Sequence, residues 1–85
     1  MTSEVDPVVS IIVTTRNEEK KIGACLESIL QQSMLLLEMI VVDNFSGDKT
    51  TTIAKKYGAK IFQLGPERSA QRNYGVKKAK GKYIL

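Results

Sequence analysis

The sequence predicts a parallel α/β sheet flanked by helices, and three observations carry that prediction. Apolar runs of strand length alternate with stretches of helical periodicity. The first two runs, Val9-Ser10-Ile11-Ile12-Val13 and Met39-Ile40-Val41-Val42, are nearly continuous rather than alternating, as in strands covered on both faces. Each then ends in a polar turn that opens a helix. Polar side chains are thereby collected at the carboxyl end of the sheet, the edge where open α/β sheets bind ligands.

Five of the six residues after Pro7 are Val or Ile, which predicts strand 1 over residues 8–15 behind a short, loose lead of residues 1–7. Asn17 stands where an N-cap belongs, with Glu18 and Glu19 in the first turn of helix 1. Carboxylates there meet the positive end of the helix dipole. The helix is expected over residues 18–32, with Ile22, Leu26, Ile29 and Leu30 at helical spacing and Cys25 beside them as a core thiol. Gly23 either weakens this helix or lets it approach the sheet closely.

Strand 2 is read over residues 39–43, and residues 44–48 are a turn by composition. Helix 2 follows over residues 49–57, with Ile53, Ala54 and Tyr57 inward and Gly58 placed for a left-handed cap. Strand 3, residues 60–64, stops at Gly65-Pro66. Helix 3 runs from residue 68 or 69 to about residue 80 with Ala70, Tyr74 and Ala79 inward; residues 82–85 begin strand 4 after Gly81. The order βαβαβαβ implies right-handed crossovers within one domain that spans all 85 residues.

Composition removes several classes of function. With no histidine the chain holds no histidine base, no Ser-His triad and no histidine metal ligand. A single cysteine excludes an internal disulfide and fits a reducing compartment, so the expected location is the cytoplasm, or its membrane face for a parent protein. The longest apolar run, from Met34 to Val42 around Glu38, is far short of the roughly 20 residues that cross a bilayer. The net charge of +4 is unevenly spread: residues 46–85 hold ten of the thirteen basic side chains and two of the nine acidic ones. A basic half attracts phosphates or nucleic acid, or simply solvates helix faces.

The turns carry no phosphate fingerprint. No glycine lies between Thr14 and Lys21, and no Walker A sequence exists. A nucleotide here would be held by side chains: threonine hydroxyls, Asp43 or Asn44 on a base edge, arginines on phosphate. Each residue also has a plain alternative. Asn17 and Ser46 can be caps, Asp43 can bond its own turn, Asp48 can be a helix-start acid, and Arg72 can be a solvated helix residue.

Taken together, three blocks resemble the amino-terminal part of family-2 glycosyltransferases of the GT-A type. They are residues 9–19, residues 40–50, and Ser69-Ala70-Gln71-Arg72-Asn73-Tyr74-Gly75 followed by residues 79–84. The resemblance implies a three-layer αβα fold with a four-stranded, mostly parallel sheet in the order 3-2-1-4. It implies a nucleotide-diphosphate-sugar donor (UDP-, GDP- or dTDP-linked), a divalent metal, Mg or Mn, and transfer of the sugar to an acceptor that the sequence does not name. By the same resemblance Thr14, Arg16, Glu18, Asp43, Asn44 and Arg72 line the donor pocket, with Arg68 a less sure member. Arg16 replaces an aromatic residue common in the family, and Asn44 stands where a second acid is frequent.

The chain departs from the family by ending at Leu85, before the Asp-X-Asp metal motif and the catalytic base. The expectation is therefore no catalytic residue and no metal ligand here, and a piece that does not transfer sugar alone. Met34-Leu35-Leu36-Leu37, where the family more often has a polar loop, is expected to pack against a second copy or the missing half. Two rivals stand beside this reading. One is a non-catalytic fold fragment that self-associates; the other is a basic nucleic-acid module, disfavoured because only five aromatics exist, too few for a stacking platform.

Overall fold

The computed structural model of the chain describes residues 7–32 and 36–85. Seven elements follow one another: β1 (Val9–Thr15), α1 (Ile22–Gln32), β2 (Leu37–Asp43), α2 (Thr50–Lys56), β3 (Lys60–Gln63), α3 (Arg68–Lys78) and β4 (Tyr83–Ile84). The sheet order is β3-β2-β1-β4, and every pairing is parallel. This is the α/β architecture and strand order that the resemblance implied.

The continuous apolar runs form the two central strands because only there are both faces covered. Ile40, Val41 and Val42 are each fully buried, worth about 1.5–3 kcal/mol apiece. Their alternation divides the core in two. Met39 and Val41 face α1 and α2, with Ile22, Leu26 and Ala54; Ile40 and Val42 face α3, with Ile12, Phe62 and Tyr74. β2 begins two residues earlier than the apolar run predicts, because the ladder pairs Val9 with Leu37 and Ser10 with Glu38. Met34 and Leu35 lie outside the described residues; Leu36, next to them, is exposed.

Helix α1 differs from its expected start. Asn17 adopts the left-handed region at φ 50°, so it does not cap a helix beginning at Glu18. The amides of Glu18 and Glu19 donate instead to Thr50 and Asp48 of the neighbouring loop, and a turn on the Glu18 carbonyl precedes Ile22. Glu18 and Glu19 thus lie outside the first helical turn. The inward stripe is also narrower than expected: Ile22 and Leu26 are buried with Ile29 packed beside them, whereas Leu30 and Cys25 are exposed, so Cys25 is not a core thiol.

Helix α3 presents its own surprise. Its buried residues are Gln71 and Gly75, with Tyr74 and Ala79 packed partly beside them. A Cβ on Gly75 would stand 2.6 Å from Ile12 Cγ2, so the absent side chain is what lets α3 lie this close to the sheet. Gly58, at φ 87°, provides the left-handed turn expected after α2.

Candidate functional site

The parallel sheet delivers the ends of β1 and β2 side by side, with Thr15 paired to Asp43. The loops that follow are fastened to one another by side chains. The Thr15 hydroxyl donates to Asp43 Oδ1 at 2.6 Å, and the Asn44 amide donates to the Thr15 carbonyl at 2.9 Å. One step further out, the Asn17 amide donates to Ser46 Oγ at 2.8 Å, and the Gly47 amide returns a bond to Asn17 Oδ1 at 2.9 Å. Beyond these, Glu18 N–H reaches Thr50 Oγ1, Glu19 N–H reaches Asp48 Oδ2, and Lys49 N–H reaches Glu19 Oε1. Residues 15–19 and 43–50 therefore form one rigid double loop.

Asp43 is the anchor. It is fully buried at the end of β2, and its oxygens accept from the Thr15 hydroxyl and from both the amide and the hydroxyl of Ser46. Burial alone would raise its pKa; the hydrogen bonds from Ser46, Thr15 and Gln63 outweigh burial and hold the carboxyl below its usual range. Asp48 is held low first by the Thr50 hydroxyl, and it accepts the Thr50 amide at the start of α2, a helix-start acid in fact. Gln71 reaches in from α3: its Nε2 donates to the Val42 carbonyl at 2.7 Å and to the Thr15 carbonyl at 3.3 Å. Sequence reading missed Gln71, because a glutamine in a polar helix gives no periodic signal of burial.

The six residues singled out by the resemblance all lie at or beside this edge, in different conditions. Thr14 and Glu18 are half-buried and share with Lys21 and Cys25 a hollow of about 290 Å³ between β1 and α1. Asp43 is buried and committed to the loops, and Asn44 is buried beside Gly65. Arg16 is exposed directly after β1; Arg72, next to Gln71, is exposed at the same end of the sheet. Among the described residues neither arginine makes a salt bridge; the one ion pair, Lys60 with Glu38, belongs to the opposite edge. The arrangement offers hydroxyl and amide groups from rigid loops and guanidinium charge from two directions, chemistry suited to a planar polar ring attached to phosphates.

Comparison with known proteins gives this edge a context. The family model for Glycosyl transferase family 2 matches residues 10–85. An uncharacterized glycosyltransferase of Rickettsia typhi is 40% identical over 81 residues, covering 92% of this chain and 26% of that protein. The uncharacterized glycosyltransferase EpsJ of Bacillus subtilis is 37% identical over 84 residues, covering 92% of this chain and 24% of that protein. The chain thus spans about a quarter of the length of these curated relatives.

Among solved structures, S. aureus TarS matches with a TM-score of 0.80 at 34% identity, over 92% of this chain and 16% of that one. Glucosyl-3-phosphoglycerate synthase from Mycobacterium tuberculosis, solved with Mn2+, UDP and glucosyl-3-phosphoglycerate, matches with a TM-score of 0.77 at 22% identity, over 93% of this chain and 33% of that one, a likeness of fold. The described residues do not themselves assemble a divalent-metal site. Asp43 and Asp48 are taken up by hydrogen bonds, Glu38 lies at the other edge, and no three acids or cysteines converge among these residues.

Proposed function

This chain belongs to glycosyl transferase family 2, and on that premise we propose that its carboxyl-edge loops form the nucleotide-facing part of a donor site for a nucleotide-diphosphate sugar. The observation that carries the proposal is the cross-pinned double loop with Arg16 exposed within it and Arg72 exposed on α3 at the same end of the sheet. Thr14 and Asn44 hydrogen-bond the nucleoside, Arg16 and Arg72 meet the diphosphate, and Glu18 borders the pocket. Asp43 contributes by holding Ser46 and Thr15 in place, since its own oxygens are already engaged. Metal and acceptor base come from groups other than these residues, so the 85-residue chain binds donor weakly and does not transfer sugar alone.

The chemistry of the rest of the surface supports the same reading. The basic half does not gather into one nucleic-acid surface: Lys55 and Lys56 end α2 on one face of the sheet, and Lys77 and Lys78 end α3 on the other. The exposed single thiol, Cys25, fits a reducing compartment, and the location we assign is the cytoplasm or its membrane face.

The test is an NMR titration of the labelled chain with UDP and GDP, each with and without manganese. Shifts confined to Thr14, Arg16, Asn44, Arg72 and their neighbours are expected, with the stronger ligand naming the base. Equal response to both nucleotides along Lys55, Lys56, Lys77 and Lys78 would replace the donor site with general anion binding.

A further inference from the structure

Phe45 is the residue that the donor-site reading leaves unexplained. It is 69% exposed, and its backbone sits in the left-handed region at φ 47°. A bulky residue reaches that region only where its surroundings impose it. The surroundings here are plain: Asp43 and Asn44 anchor the chain before it, Ser46 and Gly47 are bonded to Asn17 after it, and its own amide donates to Gln63 Oε1 at 2.8 Å. The loop is thus held from three sides around an aromatic ring that buries little.

Position adds meaning to the exposure. Asn44 is bonded to Thr15, and Ser46 and Gly47 are bonded to Asn17, so Phe45 lies across from Arg16 in the double loop. The other aromatics are elsewhere. Tyr57, Phe62 and Tyr74 pack in the two cores, and Tyr83 pairs with Val9 at the amino end of the sheet. Phe45 is therefore the aromatic of the carboxyl edge, set between a buried amide, Asn44, and an exposed guanidinium, Arg16. An apolar face beside a hydrogen-bonding edge and a cation matches the three parts of a nucleoside diphosphate: ring face, ring edge and phosphate.

We propose that Phe45 is a base-binding residue of the donor site, its ring being the platform against which the nucleobase stacks. The inference rests on the donor-site reading and assigns it a base-binding face. Stacking on an aromatic favours any planar base; discrimination among bases then falls to the Asn44 amide beside the ring. The left-handed backbone is the means by which the loop turns this ring outward rather than into the core.

The test uses Phe45→Gly, because glycine relaxes at φ 47° and keeps the loop's path while removing the ring. UDP and inorganic pyrophosphate are titrated into the wild-type chain and the variant, and the thermal midpoint of each is measured. The expected result is UDP binding weakened ~10-fold in the variant, pyrophosphate binding unchanged, and a thermal midpoint equal or higher. In the wild type the base protons of UDP should move upfield, as over a ring face, and that shift should vanish in the variant. Equal UDP affinity and equal base shifts in both proteins would overturn the stacking role while leaving the donor site standing. A lowered midpoint with unchanged affinity would make Phe45 a packing residue and overturn the proposal. Failure of the wild type to bind UDP would overturn the donor-site reading and the platform with it.

Discussion

The two ends of β2 each bury a carboxylate, and the comparison between them separates architecture from site. At the carboxyl end Asp43 gathers two loops. At the amino end Glu38 does the equivalent work for the start of β4. It accepts from Ser10 Oγ–H at 2.6 Å, from the Lys60 ammonium and from the Lys80 amide at 2.9 Å, while the Gly81 amide donates to Ser10 Oγ at 2.7 Å. Burial opposes the charge of Glu38, but bonds from Lys60, Ser10 and the Lys80 amide prevail and lower its pKa to about 2. Both acids are thus buried, hydrogen-bonded and acidic beyond the ordinary. Beside Asp43 stand two exposed arginines, Arg16 and Arg72, that form no salt bridge among the described residues, whereas beside Glu38 the half-exposed Lys60 is paired with the acid itself. A depressed carboxylate marks a fastened chain; what stands unfastened next to it marks a site.

The largest effects should come from removing either anchor. Asp43→Ala and Glu38→Ala each strand buried donors, at a cost on the order of 3 kcal/mol in urea unfolding, a large share of a small domain's stability. The two variants should then diverge in nucleotide titrations at a temperature where each is folded. Loss of Asp43 abolishes UDP binding, whereas loss of Glu38 leaves it unchanged. Equal loss in both would erase the distinction between the ends.

Acid sharpens the same comparison. Glu38 has a folded pKa of about 2 against 4.5 for the free group, so its contribution is complete above pH 4.5 and is lost as pH falls toward 2. Asp43 acts in the same direction below its ordinary 3.8. Stability measured by denaturant at successive pH values should fall steeply through this window, and Glu38→Gln should flatten the upper part of the slope. An unchanged slope in that variant would show that Glu38 is not the group being protonated.

A smaller effect is expected where α3 meets the sheet. Gly75→Ala gains helix propensity of up to ~1 kcal/mol but drives a methyl against Ile12, for a net loss of about 1–2 kcal/mol. Thermal unfolding reads this directly, and a stabilised variant would mean that Ile12 gives way. The smallest effect belongs to Asn17. Asn17→Ala removes the bond to the Gly47 amide and places alanine at φ 50°, costing about 1 kcal/mol, while Asn17→Gly should cost less because glycine accepts that backbone. Equal costs would place the value of Asn17 wholly in its hydrogen bond.

Much of this was legible in the residues. Continuous Val and Ile runs fix β1 and β2 because burial on both faces leaves no room for alternation, and Gly58 announces the end of α2 through its backbone freedom. The strand order needed the family resemblance, since local patterns say nothing of which strands become neighbours. What stayed hidden is tertiary in origin. The delayed start of α1 depends on Thr50 and Asp48, about thirty residues away, taking the amides of Glu18 and Glu19. Gln71 and Gly75 read as polar or weak helix positions until Ile12 and two strand-end carbonyls are placed beneath them. At the candidate site the sequence pointed to the carboxyl edge of the sheet without dividing the labour within it, because exposure cannot be read from residue type: Asp43 and Arg72 look equally available on paper.

Gln71 has one further consequence. Its single amide rests on the carbonyls of Thr15 and Val42, near the ends of two adjacent strands, like a peg seated in two holes of a board. A helix pinned in this way cannot roll, for a turn of one residue is about 100° and would lift the peg from both holes. Arg72, the neighbouring residue, is thereby indexed to the sheet and not to the loop that leads into α3. Insertions around Gly65-Pro66 could lengthen or shorten that loop without moving the charge. The length of that loop is in this way uncoupled from the placement of an exposed arginine.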